Sequence, residues 1–345
     1  MPSEGTIPTV LISIIAGSHN ITLIISSSIM SSSKSKPQRT ILPLVVPPLH
    51  DHKTTIIILH GRGSSAEKFA EPLLTHMVSP GDTVPATSTD SPADGSPTPV
   101  KSFQEHFPNT KFVFPTAPLR RAVVFKRSLT HQWFDNWSLT EPELKQHLQA
   151  QGLRETSAYL HDLLKDEIKI VGASNVVLMG LSQGCAASIV AMLLWKGERI
   201  RALVGMCGYV PFRKGMYESV EDTNSGDTDS LVGSDDDQED MFERDNEEFG
   251  CGSKFEKAVD WLREELGISQ DDDGVNEQSS SLQSIPVFMG HGRDDEKVPC
   301  CIGKLAAEFL GGIDVSVTWQ DYAGLGHWYS ADMLRDVVGF VNGLN

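Results

Sequence analysis

Basic residues are scarce in this chain: 29 Lys and Arg stand against 46 Asp and Glu, a formal net charge of −17 over 345 residues. A protein that grips nucleic acid needs a stripe of cations to neutralise phosphates. None occurs, so nucleic acid is excluded as a partner. The acidity is also local. Fourteen Asp/Glu and one Arg fall between Glu218 and Glu248, a net of −13, which leaves only −4 for all other residues. Cysteine is sparse as well. Cys185, Cys207, Cys251, Cys300 and Cys301 are an odd set without a disulfide pattern, which suits free thiols in a reducing compartment, hence the cytoplasm. Long apolar runs are missing too. Ile7 to Ile14 and Ile21 to Met30 are apolar, but Gly17-Ser-His-Asn20 splits them and Glu4 precedes them, which argues against a membrane span and a secretory signal. Residues 1–40 are therefore expected to be a flexible extension, with the folded domain covering 41–345. Metal-ligand patterns are absent: His50-Asp-His52 has no third ligand in view, and neither metal nor organic cofactor is expected.

What is present centres on Asn175 to Leu194. A short apolar, β-rich run, Asn175-Val-Val-Leu-Met179, meets Gly180-Leu-Ser182-Gln-Gly184 and then an Ala/Leu/Met-rich helical stretch. A serine hydroxyl is a poor nucleophile unless it is held out on a sharp turn beside a base, and two flanking glycines remove the Cβ atoms that would obstruct such a turn. Strand, Gly-x-Ser-x-Gly and helix in this order make the nucleophile elbow of an α/β-hydrolase.

The surrounding chain fits a mostly parallel central sheet with helices on both faces. Thr54-Thr-Ile-Ile-Ile-Leu59 and Lys111-Phe-Val-Phe114 read as strands buried on both sides, and Arg201–Met206, Ile285–Met289 and Val315–Trp319 as further strands. Helices are expected over Ala66 to His76, about Arg154 to Lys169, near Cys300 to Leu310, and over Ala331 to Val341. Phe255, Val259, Leu262 and Leu266 form one more helical stripe. Three polar stretches, near 79–101, 214–252 and 269–284, lack core-forming residues and read as disordered insertions.

A serine nucleophile needs a base, an acid to orient it, and N–H groups for the oxyanion. In this fold the chain order is serine, acid, histidine, so only His291 and His327 qualify as base. His327 lies in the glycine-rich Tyr322-Ala-Gly-Leu-Gly-His-Trp loop between the last strand and last helix, and is preferred. His291 directly follows a strand, where its backbone turn is expected to matter more than its imidazole. Asp294 and Asp295 both follow that strand, and spacing alone does not choose between them. For the oxyanion, one N–H is expected from Gln183 and the other from Arg62, in the His60-Gly-Arg-Gly63 loop after the first buried strand. Trp133 and Phe134 are candidates for lining an acyl groove, and Asp135 for anchoring their loop.

Six blocks occur in one order: Leu59-His-Gly-Arg-Gly63, Phe114-Pro-Thr-Ala-Pro118, Trp133-Phe-Asp135, Gly180-Leu-Ser-Gln-Gly184, His291-Gly-x-x-Asp295-x-x-Val-Pro299 and Tyr322-x-Gly-x-x-His327. Together they resemble the phospholipase/carboxylesterase family, which contains the acyl-protein thioesterases and small cytosolic carboxylesterases. The resemblance spans roughly Ile41 to the C-terminus, outside the insertions. It implies Ser182 as nucleophile, His327 as base, Asp295 rather than Asp294 as acid, and the Arg62 and Gln183 amides as the oxyanion hole. It implies hydrolysis of carboxylic esters or thioesters through an acyl-serine, on an acyl ester or an S-acylated protein or lipid, with transient contact at a membrane surface. The alternatives are a lysophospholipase or short-chain esterase with no protein substrate, or a silent hydrolase fold that binds a basic partner through its acidic insertion. Departures from the family pattern stand at Arg62, Ser64, Arg293 and Glu296-Lys297, which alter the rim, and in the acidic insertion between Val210 and Ile285.

Overall fold

The computed structural model describes the backbone of residues 10–16 and 19–25 together with residues 41–78, 100–221, 252–269 and 282–344. The principal strands are β1 (Leu44–Val46), β2 (Thr54–Leu59), β3 (Thr110–Phe114), β4 (Leu119–Ala122), β5 (Ser128–His131), β6 (Val176–Leu181), β7 (Ala202–Met206), β8 (Val287–Gly292) and β9 (Val317–Tyr322). The helices are α1 (Ala66–Leu74), α2 (His147–Val171), α3 (Gln183–Leu193), α4 (Arg213–Glu221), α5 (Lys254–Glu265), α6 (Cys300–Gly312) and α7 (Ala331–Gly343).

Seven strands form one sheet in the order β9-β8-β7-β6-β2-β3-β1. Only the β1–β3 pairing is antiparallel; β2–β3, β2–β6, β6–β7, β7–β8 and β8–β9 are parallel. This is an α/β-hydrolase fold. The β-branched run of β2 explains itself by alternation. Ile57 and Leu59 enter one core cluster with α2 to α6, while Ile56 and Ile58 enter the other with α1 and α7. Consecutive apolar residues are what a strand covered on both faces requires. All eleven residues of α3 are buried, so this helix is hydrophobic all round and sits at the centre of its layer. After β3 the chain crosses to the far side of β2 to lay down β6. The sheet therefore switches direction between β2 and β6, where Leu59 pairs with Gly180. A crevice opens at the C-terminal strand ends of such a switch.

Several expectations are corrected. Helix α2 starts at His147, not near Arg154, because its first turns bury Gln149, Gly152 and Leu153 under the Trp133–Phe134 loop, a face too polar and small to show as an apolar stripe. The stretch 214–252 is not insertion throughout. Residues up to Glu221 belong to α4, whose Met216 and Val220 are buried with Phe255 and Leu262 of α5. At the other two insertions, Lys101–Ser102 pairs with Met77–Val78, and Leu282 is buried in a short 3₁₀ turn. Within 1–40, Val10–Ala16 and His19–Ile25 pair antiparallel. Residues 1–9, 17–18 and 26–40 of that extension, and 79–99, 222–251 and 270–281 of the three insertions, lie outside the described residues.

Candidate active site

Ser182 stands between β6 and α3 with φ 57° and ψ −120°, a backbone conformation that costs a non-glycine residue about 1–3 kcal/mol. Its surroundings hold it there. Its N–H donates to the Met206 carbonyl at 2.8 Å, and its own carbonyl accepts from Ala186. A Cβ on Gly180 would lie 2.5 Å from the Gly184 backbone, and one on Gly184 would lie 2.5 Å from the Leu59 carbonyl oxygen. The two glycines therefore let β6, α3 and the end of β2 close on one another.

His327 arrives from the β9–α7 loop and Asp295 from the β8–α6 loop. Gly292 makes their meeting possible: a Cβ there would be 2.2 Å from the Leu325 carbonyl oxygen. Backbone bonds from Arg293 to Tyr322 and from Asp294 to Leu325 fasten the two loops together. His327 Nε2 is 2.8 Å from Ser182 Oγ, and His327 Nδ1 is 2.7 Å from Asp295 Oδ2. Asp295 Oδ1 accepts the N–H groups of Lys297 and Val298, each at 2.9 Å. Burial opposes the charge on Asp295, but hydrogen bonds from His291, His327 and Val298 outweigh it and hold the carboxyl well below its usual range. An ionised carboxylate only accepts, so His327 carries its proton on Nδ1 and leaves Nε2 free to take the serine proton. Asp294 is exposed and touches the histidine loop only through its backbone.

The loop after β2 lies against the same serine. A Cβ on Gly61 would be 3.4 Å from Ser182 Cβ and 3.8 Å from its Oγ. Among the described residues, no acceptor takes the N–H of Arg62 or of Gln183. The loop is shaped by His60, whose Nδ1–H donates to the Gly61 carbonyl at 2.7 Å while Nε2 accepts from Ala117 N–H at 3.1 Å. Burial pulls the His60 pKa down to about 4, in keeping with a neutral ring. The Arg62 guanidinium donates to Asn136 Oδ1 at 2.6 Å and lies over the Phe125 ring.

Trp133 and Phe134 are 1% and 0% exposed. The expectation that they line a groove is corrected: both rings are packed into the core. Their backbone and the indole nitrogen are what reach the site. Gln183 Oε1 accepts from Trp133 N–H at 3.0 Å, Gln183 Nε2 donates to the Phe134 carbonyl at 2.8 Å, and Trp133 Nε1–H donates to the His60 carbonyl at 2.8 Å. The elbow, the tryptophan loop and the β2 loop are thereby stitched together. Asp135 anchors its loop by accepting from Val123 N–H. A long amide side chain at the head of a largely apolar elbow helix was the sequence signal for the Gln183 role. His291 is a second surprise. Its imidazole, not only its backbone, is committed: Nε2 lies 2.9 Å from the Val298 carbonyl and 3.2 Å from Asp295 Oδ2.

Cys207, Asp295 and His327 are the one group of three potential metal ligands among the described residues. Cys207 Sγ–H already donates to the Trp328 carbonyl at 3.2 Å, and burial raises its pKa to about 12. Chemically, the arrangement offers an oriented hydroxyl, an adjacent base in a fixed tautomer, and two N–H groups near the point of attack.

Comparison with known proteins places this geometry in context. The phospholipase/carboxylesterase family model matches residues 95–246 and 270–345, a span that includes Ser182, Asp295 and His327. Acyl-protein thioesterase 1 of Gibberella zeae is 23% identical over 87% of this chain and 94% of its own length. That of Yarrowia lipolytica is 28% identical over 68% of this chain and 77% of its own length. Among solved structures, Zea mays acyl-protein thioesterase 2 has the same fold, with a TM-score of 0.53 at 19% identity, covering 87% of this chain and 96% of that one.

Proposed function

The chain belongs to the phospholipase/carboxylesterase family, and from that premise we propose that it hydrolyses carboxylic esters and thioesters through an acyl-Ser182 intermediate. The observation that carries this reading is the unbroken relay from Ser182 Oγ to His327 at 2.8 Å and from His327 to Asp295 at 2.7 Å, at the end of a strained elbow. His327 Nε2 takes the serine proton as Oγ attacks the carbonyl carbon. The Arg62 and Gln183 amides stabilise the tetrahedral oxyanion. His327 then returns the proton to the departing alcohol or thiol. Water attacks the acyl-enzyme by the same route, releasing the acid and restoring the serine. Protein groups supply every proton transfer and all charge stabilisation, so the proposed cycle uses no metal or organic cofactor.

The names of the relatives point to acylated proteins as the substrate class. Cys185, Cys207, Cys300 and Cys301 are unpaired thiols, which supports the cytoplasm as the place of work. No described helix is long and apolar enough to cross a membrane. The test is Ser182→Ala, expected to abolish both labelling by a fluorophosphonate probe and hydrolysis of p-nitrophenyl esters. Turnover that survives in this variant would sink the reading. A chain-length series of p-nitrophenyl esters set against an S-acylated peptide then identifies the leaving group and acyl length.

A further inference from the structure

We propose that His291 is a positioning residue for Asp295, holding the acid to the central sheet through a hydrogen bond from Nε2–H to the carboxylate oxygen that also receives His327. The inference rests on the acyl-serine reading above and deepens it.

The ring lies at the end of β8 and is fully buried. The Val298 carbonyl, 2.9 Å from Nε2, can only accept, so the proton of this imidazole is on Nε2. The same N–H is shared: its nearer partner is the Val298 carbonyl, and Asp295 Oδ2 lies beside it at 3.2 Å from Nε2 as the second acceptor. Nδ1 faces no donor or acceptor among the described residues, and a proton there would be a buried, unpaired donor. The pocket is cut to this tautomer. A Cβ on Gly303 of α6 would lie 2.2 Å from His291 Nδ1, and Trp319 of β9 packs beside the ring at 6.0 Å between centroids.

The four N–H groups around Asp295 come from three places. Those of Lys297 and Val298 belong to the carboxylate's own loop, and that of His327 belongs to the base it must orient. Only the His291 donor is fixed to the sheet. Without it, the acid would be located by its own loop and by its client. Oδ2 would also carry more concentrated charge, strengthening its hold on a protonated His327. Cys207 and Cys300, on which the charge of Asp295 also acts, are both raised above the ordinary thiol range, chiefly by burial, so they stay uncharged in acid; Asp294, Glu296 and Lys297 beside Asp295 are exposed.

His291→Leu, which removes the donor at similar volume, is expected to lower kcat on a short p-nitrophenyl ester about tenfold with KM within about twofold. That loss is the rate equivalent of one charge-assisted hydrogen bond. The acid limb of its kcat/KM profile moves to higher pH. His291→Gln, which returns an N–H at similar reach, recovers most of kcat and the pH profile. A leucine variant with unchanged kcat and pH profile overturns the proposal, as does a glutamine variant impaired to the same degree as leucine. If the leucine variant does not fold, NMR of the His291 ring decides: an Nε2–H resonance that moves between the wild type and Asp295→Asn sustains the proposal, and one that does not move, or a proton on Nδ1, overturns it. Ser182→Ala keeps the two ideas apart. Surviving turnover defeats the acyl-serine reading, whereas lost turnover beside a silent His291→Leu defeats only this one.

Discussion

At the level of single residues, His60 after β2 and Asp295 after β8 do opposite electrical work. His60 is buried neutral, its pKa drawn down from 6.5 to about 4 by desolvation. Between those two values the unfolded chain binds more protons than the native one, so stability rises with pH across that window. The full contribution is present above pH 6.5 and is lost as the pH falls towards 4, a change of about 3 kcal/mol. His60→Gln can still accept from Ala117 without titrating. It should therefore be less stable than wild type at pH 7, and the gap should narrow steadily in urea unfolding measured at pH 7, 5.5 and 4.5. A gap that stays constant contradicts the assignment. Asp295 is the complementary case, a carboxyl whose pKa is depressed by its donors, with stability present above the ordinary carboxylate range and lost only in strong acid. Asp295→Asn would present an NH₂ to His327 Nδ1 and force the proton to Nε2. The expected result is a kcat roughly 10³–10⁴-fold lower with little change in KM, checked by steady-state kinetics on an ester substrate.

At the level of elements, the same substitution has opposite outcomes in two helices. Gly152 lies where α2 passes under the tryptophan loop, and a Cβ there would be 2.5 Å from Phe134 Cα. Gly152→Ala gains about 1 kcal/mol of helix propensity, but it must push apart a backbone contact that supports Trp133 and Gln183. A net loss of about 1–3 kcal/mol is expected, together with lower activity, because the stitched loops shift. Gly339 of α7 has nothing within 4 Å of its would-be Cβ, and Gly339→Ala should add about 0.5–1 kcal/mol without touching kcat. Thermal denaturation of the pair separates packing from propensity. The contrast also shows what was legible in the sequence. Strands such as β2 could be named because an apolar β-branched run is a local signal. Ser182 could be named from its elbow, and His327 from chain order together with its glycine-rich loop, whereas the choice of Asp295 over Asp294 came only from the family resemblance. The start of α2 was hidden because Gln149 and Gly152 are selected by what lies above them, and α4 because Met216 and Val220 sit at the head of an acidic run. The role of the His291 ring was invisible for a related reason: Val298, Gly303 and Trp319 meet it only once β8, α6 and β9 have assembled.

For the molecule as a whole, charge is distributed unlike structure. The segment from Glu218 to Glu248 carries −13 of the total −17, and its first four residues are the last four of α4. That helix begins six residues after Cys207, whose thiol bonds the neighbour of His327. Nine helical residues span about 13 Å. The Debye length is about 8 Å at physiological ionic strength but about 30 Å at 0.01 M. The acidic segment should therefore act on substrate encounter in dilute salt and be largely screened in the cell. An S-acylated peptide flanked by lysines should be preferred over a neutral one by several-fold in kcat/KM at about 0.01 M salt, with the preference shrinking towards unity near 0.15 M. Replacing residues 223–250 with a short Gly/Ser linker should flatten this salt dependence and leave hydrolysis of uncharged p-nitrophenyl esters within about twofold of wild type. If the lysine preference persists undiminished in the shortened chain, attraction comes from the rim of the site instead, and the acidic segment has no part in choosing substrates.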